Sequence, residues 1–185
     1  MSSLDSNRVE FDRDKFRELV IYLAHQLADD RSFGDTKLNK ALYFVDFFGY
    51  SHLGRAVTGA RYQKQKNGPL ARPLLPIREE LVEEGAVRIE MRPAGKRQRR
   101  VTEPRRDADR RHFIEAEIEL IDDVIEQLKG LTAVAVSHIS HENSPGWLLA
   151  HLGEDIPYET ALIARDHASS EVRRRGQDLA TKYGW

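Results

Sequence analysis

Asp35-Thr36-Lys37-Leu38-Asn39-Lys40-Ala41-Leu42-Tyr43-Phe44-Val45-Asp46-Phe47-Phe48-Gly49 is the stretch on which the fold turns. Leu38, Leu42, Val45 and Phe48 recur at helical spacing, and Tyr43, Phe44 and Phe47 make the segment apolar nearly all round. A helix of that kind is packed on more than one side, so 35–49 is expected to be the core helix of a domain. Asp35 or Thr36 caps its start, and Gly49 and Gly54 bracket its end.

Upstream, Phe16, Leu19, Val20, Leu23 and Leu27 put one apolar face on a helix over about 12–29, with Asp12 as its N-cap. Downstream, 55–69 lacks helical period; Asn67-Gly68-Pro69 is turn chemistry, and a short strand is expected near 60–65. A helix then carries Leu74, Ile77, Leu81 and Val82 on its apolar positions and stops at Gly85. Ala86-Val87-Arg88-Ile89-Glu90-Met91 alternates, and a basic turn leads into Arg99-Arg100-Val101-Thr102, which together read as a β-hairpin over 86–103. Helix, glycine, strand, basic turn and strand is also the pattern of a winged-helix wing. The stripe Ile114, Ile118, Ile121, Ile125 and Leu128 predicts a long helix over 107–129 packed on the central one, ended by Gly130. A short helix is expected over 134–141, a turn at Ser144-Pro145-Gly146-Trp147, and a last helix from Pro157 onward. The fold class is therefore α+β and predominantly α-helical, a compact helical domain with a small β-hairpin. The expected organisation is a flexible 1–11, a domain over 12–165 and a helical tail over 166–185.

The chain has 185 residues, 40% hydrophobic and 32% charged, as in a helix-rich globular protein. It has no cysteine, which removes disulfides, thiolate catalysis and thiolate zinc sites. No apolar run reaches the roughly 20 residues of a membrane span. Met-Ser-Ser-Leu-Asp-Ser-Asn-Arg lacks the apolar stretch of a signal peptide, so a cytoplasmic protein without membrane partners is expected.

Catalytic constellations are missing from the sequence. His138 and His141 are three apart beside Glu142, but in the order His-Ile-Ser-His-Glu and not His-Glu-x-x-His, so they read as structural and no metal is expected. Ser137, Ser140 and Ser144 have no Gly-x-Ser-x-Gly elbow. Lys66-Asn67-Gly68-Pro69 is no phosphate loop, since it offers one glycine and ends in a residue without an N–H. No enzyme and no cofactor follow. The strongest electrostatic feature is 88–111, where ten Lys and Arg face four acids in a chain of net charge −1. Arg92, Lys96, Arg97, Arg99, Arg100, Arg105 and Arg106 form this patch, which suits an acidic protein, nucleic acid, or simply a solvated rim. No aromatic interleaves the arginines, and the helix before the hairpin carries Glu79, Glu80, Glu83 and Glu84, which phosphate would repel.

Three blocks resemble a known family. Lys37-Leu38-Asn39-Lys40-Ala41-Leu42-Tyr43-Phe44-Val45-Asp46 is similar to the signature helix of the Panacea domain of SocA-like antitoxins. Val57-Thr58-Gly59-Ala60-Arg61-Tyr62 with Asn67-Gly68-Pro69-Leu70 resembles its second block, and Ile139-Ser140-His141-Glu142 with Trp147 its third. The resemblance covers about 16–165 and implies an antitoxin of a bacterial or phage toxin–antitoxin pair, with a cognate toxin protein as partner. The partner-binding candidates that follow are Lys37, Lys40, Tyr62, Gln65, Asn67, Gly68, Pro69, His141 and Trp147. Gly59, Gly68 and Pro69 equally suit turns, and Trp147 equally suits a core. The alternative is a winged-helix-like regulator that binds nucleic acid through the basic hairpin.

Overall fold

Residues 9–132, 134–136 and 144–167 are described by the computed structural model. Helix α1 (Arg13–Gln26) starts where the Asp12 carboxylate accepts from the Lys15 N–H at 2.9 Å. Its predicted stripe from Phe16 to Leu27 is fully buried. Helix α2 (Asp35–Phe48) is buried without a break from Lys37 to Phe47, as expected of the central helix, and ends in a π-helical turn at Gly49–Leu53. A Cβ at Gly49 would come within 2.9 Å of the Val57 side chain and 3.1 Å of the Arg55 carbonyl, so only glycine lets the returning chain approach this closely.

Strands β1 (Tyr62–Gln65) and β2 (Gly68–Ala71) pair antiparallel with Gln65 opposite Gly68, leaving Lys66 and Asn67 as a two-residue turn. The outer edge of β1 is covered by 153–156, through Lys64 N–H to Glu154 and Ile156 N–H to Tyr62. Helix α3 (Leu74–Glu83) leads into the second hairpin, β3 (Val87–Ala94) and β4 (Arg97–Pro104), which turns at Gly95 with φ +63°. Val87 and Val101 anchor that hairpin in the core. The fold is thus α+β and mostly helical, with two separate two-stranded sheets among the described residues.

Helix α4 (Glu115–Leu128) packs on α2 as expected, but begins eight residues later than its period suggested. The segment before it is a 3₁₀ turn at Arg110–His112, and Phe113 is extended. Long-range contacts win over local periodicity here: Glu18 takes two bonds from the Arg106 guanidinium and one from the Asp109 N–H, which holds this stretch open. Ile114 therefore flanks the helix at 53% exposure and is no part of the core stripe. Its N–H donates to Glu117, a buried acid that also binds Lys15 on α1. Helices α5 (Pro145–Leu149) and α6 (Thr160–His167) close the described chain. The expected 134–141 helix is described only over 134–136, and the tail beyond 167 lies outside the described residues.

Candidate functional site

Asp46, near the C-terminal end of α2, organises the second motif block. Its Oδ1 accepts from the N–H groups of Thr58 (2.5 Å) and Gly59 (3.3 Å), and its Oδ2 from the hydroxyls of Thr58 (2.6 Å) and Tyr62 (2.7 Å). Burial pushes this carboxyl above the usual carboxylate range, against the pull of the four donors. Gly59 has φ +71°, and a Cβ there would stand 2.1 Å from the Glu10 carbonyl oxygen. The Val57–Tyr62 block is thus held by backbone demands and one buried acid. Tyr62 itself, a candidate contact in the sequence, is 1% exposed and points inward to Asp46.

Two turns earlier on the same helix, Asn39 fixes the neighbouring hairpin. Its Oδ1 accepts from the Ala71 N–H at 3.0 Å while its amide donates to the Asp35 carbonyl at 2.9 Å. This tie docks β2 beside α2 and leaves a cleft of about 280 Å³ between them. Lys40, Gln65, Asn67, Gly68 and Pro69, five of the nine candidates, line that cleft together with Asp35, Thr36, Asn39, Lys66 and Leu70. Gly68 takes φ +125°, which makes glycine necessary at the cleft's corner. Asn67 is exposed at the turn, whereas Lys40 is 1% exposed at the base, where burial draws its ammonium down to about 8. Asn39 escaped the sequence reading; the available signal was a carboxamide in an otherwise apolar run.

Lys37 is placed elsewhere than its candidacy required. It has no exposed surface, and its ammonium donates to Asp30 (2.7 Å), Ser32 (2.7 Å) and the carbonyls of Leu128 (3.0 Å) and Leu131 (2.5 Å). It ties the α1–α2 loop to the end of α4 and offers nothing to a partner. Trp147 is half-buried outside the cleft, and the Lys64 ammonium stands 4.4 Å from the centre of its ring. Ser144 caps α5 by accepting from the Trp147 N–H and also meets the Tyr43 hydroxyl. His138 and His141 lie outside the described residues. Among the described residues no group of three or more His, Asp or Glu side chains is arranged to hold a metal ion.

The basic hairpin is less uniformly charged than its sequence. Arg92 is bound by Glu90 (2.7 Å), Arg106 by Glu18 (2.7 Å), and Arg100 lies 3.9 Å from Asp35. Lys96, Arg97, Arg99 and Arg105 make no ion pair among the described residues. Arg92 and Arg99 face each other across the strands.

The family model described as antitoxin SocA-like, Panacea domain, matches residues 38–148, more than half of the chain. No curated protein and no solved structure matches it. The matched segment contains α2 from Leu38 onward, both hairpins and α4, and so every residue of the cleft except Asp35 and Thr36.

Proposed function

The chain belongs to the SocA-like antitoxin family, and on that premise we propose that it neutralises a cognate protein toxin by direct contact. The supporting observation is convergence: residues of two family-like blocks, Lys40 on one side and Gln65, Asn67, Gly68 and Pro69 on the other, meet at one surface cleft. A cleft with polar walls and a buried lysine at its base accepts a protruding polar or acidic side chain of a partner, the anchor-in-pocket arrangement that concentrates binding energy. Contact of this kind needs no reaction and no cofactor. The exposed acids Glu79 and Glu83 on α3, just before the hairpin, favour a protein partner over nucleic acid.

Co-expression with the toxic protein encoded beside this gene tests the proposal. The wild-type chain restores growth and co-purifies with the toxin. Asn67→Trp fills the cleft mouth from an exposed turn, so it weakens toxin binding by about tenfold or more without changing thermal unfolding. Full neutralisation by the Asn67→Trp chain would remove the cleft from the interface. Neutralisation without a complex of the two proteins would remove direct contact altogether.

A further inference from the structure

Helix α3 is apolar on two sides. Leu74, Ile77 and Leu81 face the core, but Val82, expected among them, is 40% exposed, and Leu75 is 54% exposed. These two, one heptad apart, form a wall of a groove of about 440 Å³ whose other wall is β3 and β4. Ile89 and the 52% exposed Met91 line the strand side.

The charges along the groove are divided by wall. The four acids of α3 and its end split into two pairs: Glu80 and Glu84 are taken by Arg13 and Arg17 of α1, whereas Glu79 and Glu83 are exposed along the groove. Glu79 and Glu83 make no ion pair among the described residues. The opposite wall carries Arg100, half-exposed and only 3.9 Å from Asp35, whose other oxygen is already held at 2.5 Å by the buried Arg78. The groove thus has two exposed acids on its helical wall, one arginine on its strand wall and apolar side chains on both.

We propose that this groove is a self-association surface whose occupant is a second copy of the chain. A two-fold axis running along the groove sets the helical wall of one copy on the strand wall of the other. Glu79 and Glu83 then meet the partner copy's Arg100, and Leu75 and Val82 cover its Ile89 and Met91, twice over by symmetry. A net charge of −1 puts no long-range repulsion between copies. A contact confined to one groove and its two walls is a small interface, so the dimer forms in a concentration-dependent way in the micromolar range. The proposal stands on the groove alone and is independent of the toxin-binding cleft.

Sedimentation velocity of the full chain from about 1 to about 200 μM tests it, with circular dichroism melts to confirm folding. The wild type moves from monomer to dimer over that range. Glu79→Lys with Glu83→Lys in one chain, or Arg100→Glu in another, shifts the midpoint at least about tenfold upward, because like charges then face each other. An equimolar mixture of the two variants recovers the wild-type midpoint, since each wall again meets its opposite. Met91→Glu disrupts the dimer through the apolar contact and touches no ion pair, which covers any folding defect of Arg100→Glu. A monomer at all concentrations, a dimer indifferent to these substitutions, or a mixture that stays monomeric overturns the proposal.

Discussion

Lys37 and Asp46 lie on one helix, neither with any exposed surface, and they solve the problem of a buried charge in different ways. Lys37 is given a counter-charge, Asp30, together with one hydroxyl and two carbonyls. Asp46 is given four donors. Asp46→Ala strands all four donors and is expected to cost about 3–5 kcal/mol. Asp46→Asn keeps an oxygen for the two N–H groups and turns its amide to the two hydroxyl oxygens, so its cost stays near 1 kcal/mol. Urea denaturation of both variants checks the ratio. Asp30 gives a pH signature: burial raises its carboxyl, but bonds from Lys37, Ser32 and Gly130 outweigh that and bring it from 3.8 down to about 2. A depressed carboxylate stabilises the fold above its unfolded value and loses that effect as pH falls through its folded value. The advantage of the wild type over Asp30→Asn is therefore about 2 kcal/mol at pH 7 and shrinks between about pH 4 and pH 2. An advantage that is constant across that range would show that the carboxylate is not held in its charged form by these bonds.

Between α2 and α4, the choice of central helix has a direct energetic consequence. Leu42 has no exposed surface, so Leu42→Ala should cost roughly 2–5 kcal/mol. Ile114, on the same sequence stripe as the buried Ile118 and Ile121, should cost less than about 0.5 kcal/mol on truncation to Ala, because it lies outside the helix. Equal losses for the two would restore the helix to its sequence-based start. The contrast marks what was legible. The α1 stripe, the all-round burial of α2, the β3–β4 hairpin and the Ile118–Leu128 seam follow from local period and turn chemistry. The start of α4 does not, because it is set by Glu18, some ninety residues away in the chain. Val82 fits the period of α3 and still faces out, since helical spacing fixes a stripe but not its width. For the cleft, the motif residues were visible, but their meeting depends on the Asn39–Ala71 bond between helix and strand. Lys37 and Tyr62 show the other side of this: a motif position gives a residue's importance without saying whether it serves the surface or the interior.

The whole molecule is nearly neutral, and its basic segment 88–111 is partly neutralised by acids of the same chain. Glu90 and Glu18 neutralise Arg92 and Arg106; of the four patch cations without an ion pair among the described residues, Arg99 is half-buried, Lys96 and Arg97 are exposed at the hairpin tip, and Arg105 is exposed at its base. Charges at a wet rim accelerate encounter more than they hold a complex. Lys96→Glu, Arg97→Glu and Arg105→Glu combined should therefore slow association with an acidic toxin surface by about tenfold at low salt and flatten its salt dependence. Dissociation should change by less than about threefold if, as proposed, the anchoring contacts belong to the cleft on the other hairpin. Arg100 is left intact in this variant, so the proposed dimer groove is undisturbed and the kinetics report on the three replaced cations of the basic segment. Nucleic acid would give a different record: the logarithm of the affinity would fall steeply and linearly with the logarithm of salt, and binding would vanish in the variant, since phosphate contacts supply the affinity itself. Surface-plasmon kinetics with the toxin and a gel shift with the gene's upstream DNA, on the same triple variant, separate the two. Slower association with unchanged dissociation places the hairpin at the edge of a protein interface; a lost gel shift with unaltered toxin kinetics assigns it to DNA instead.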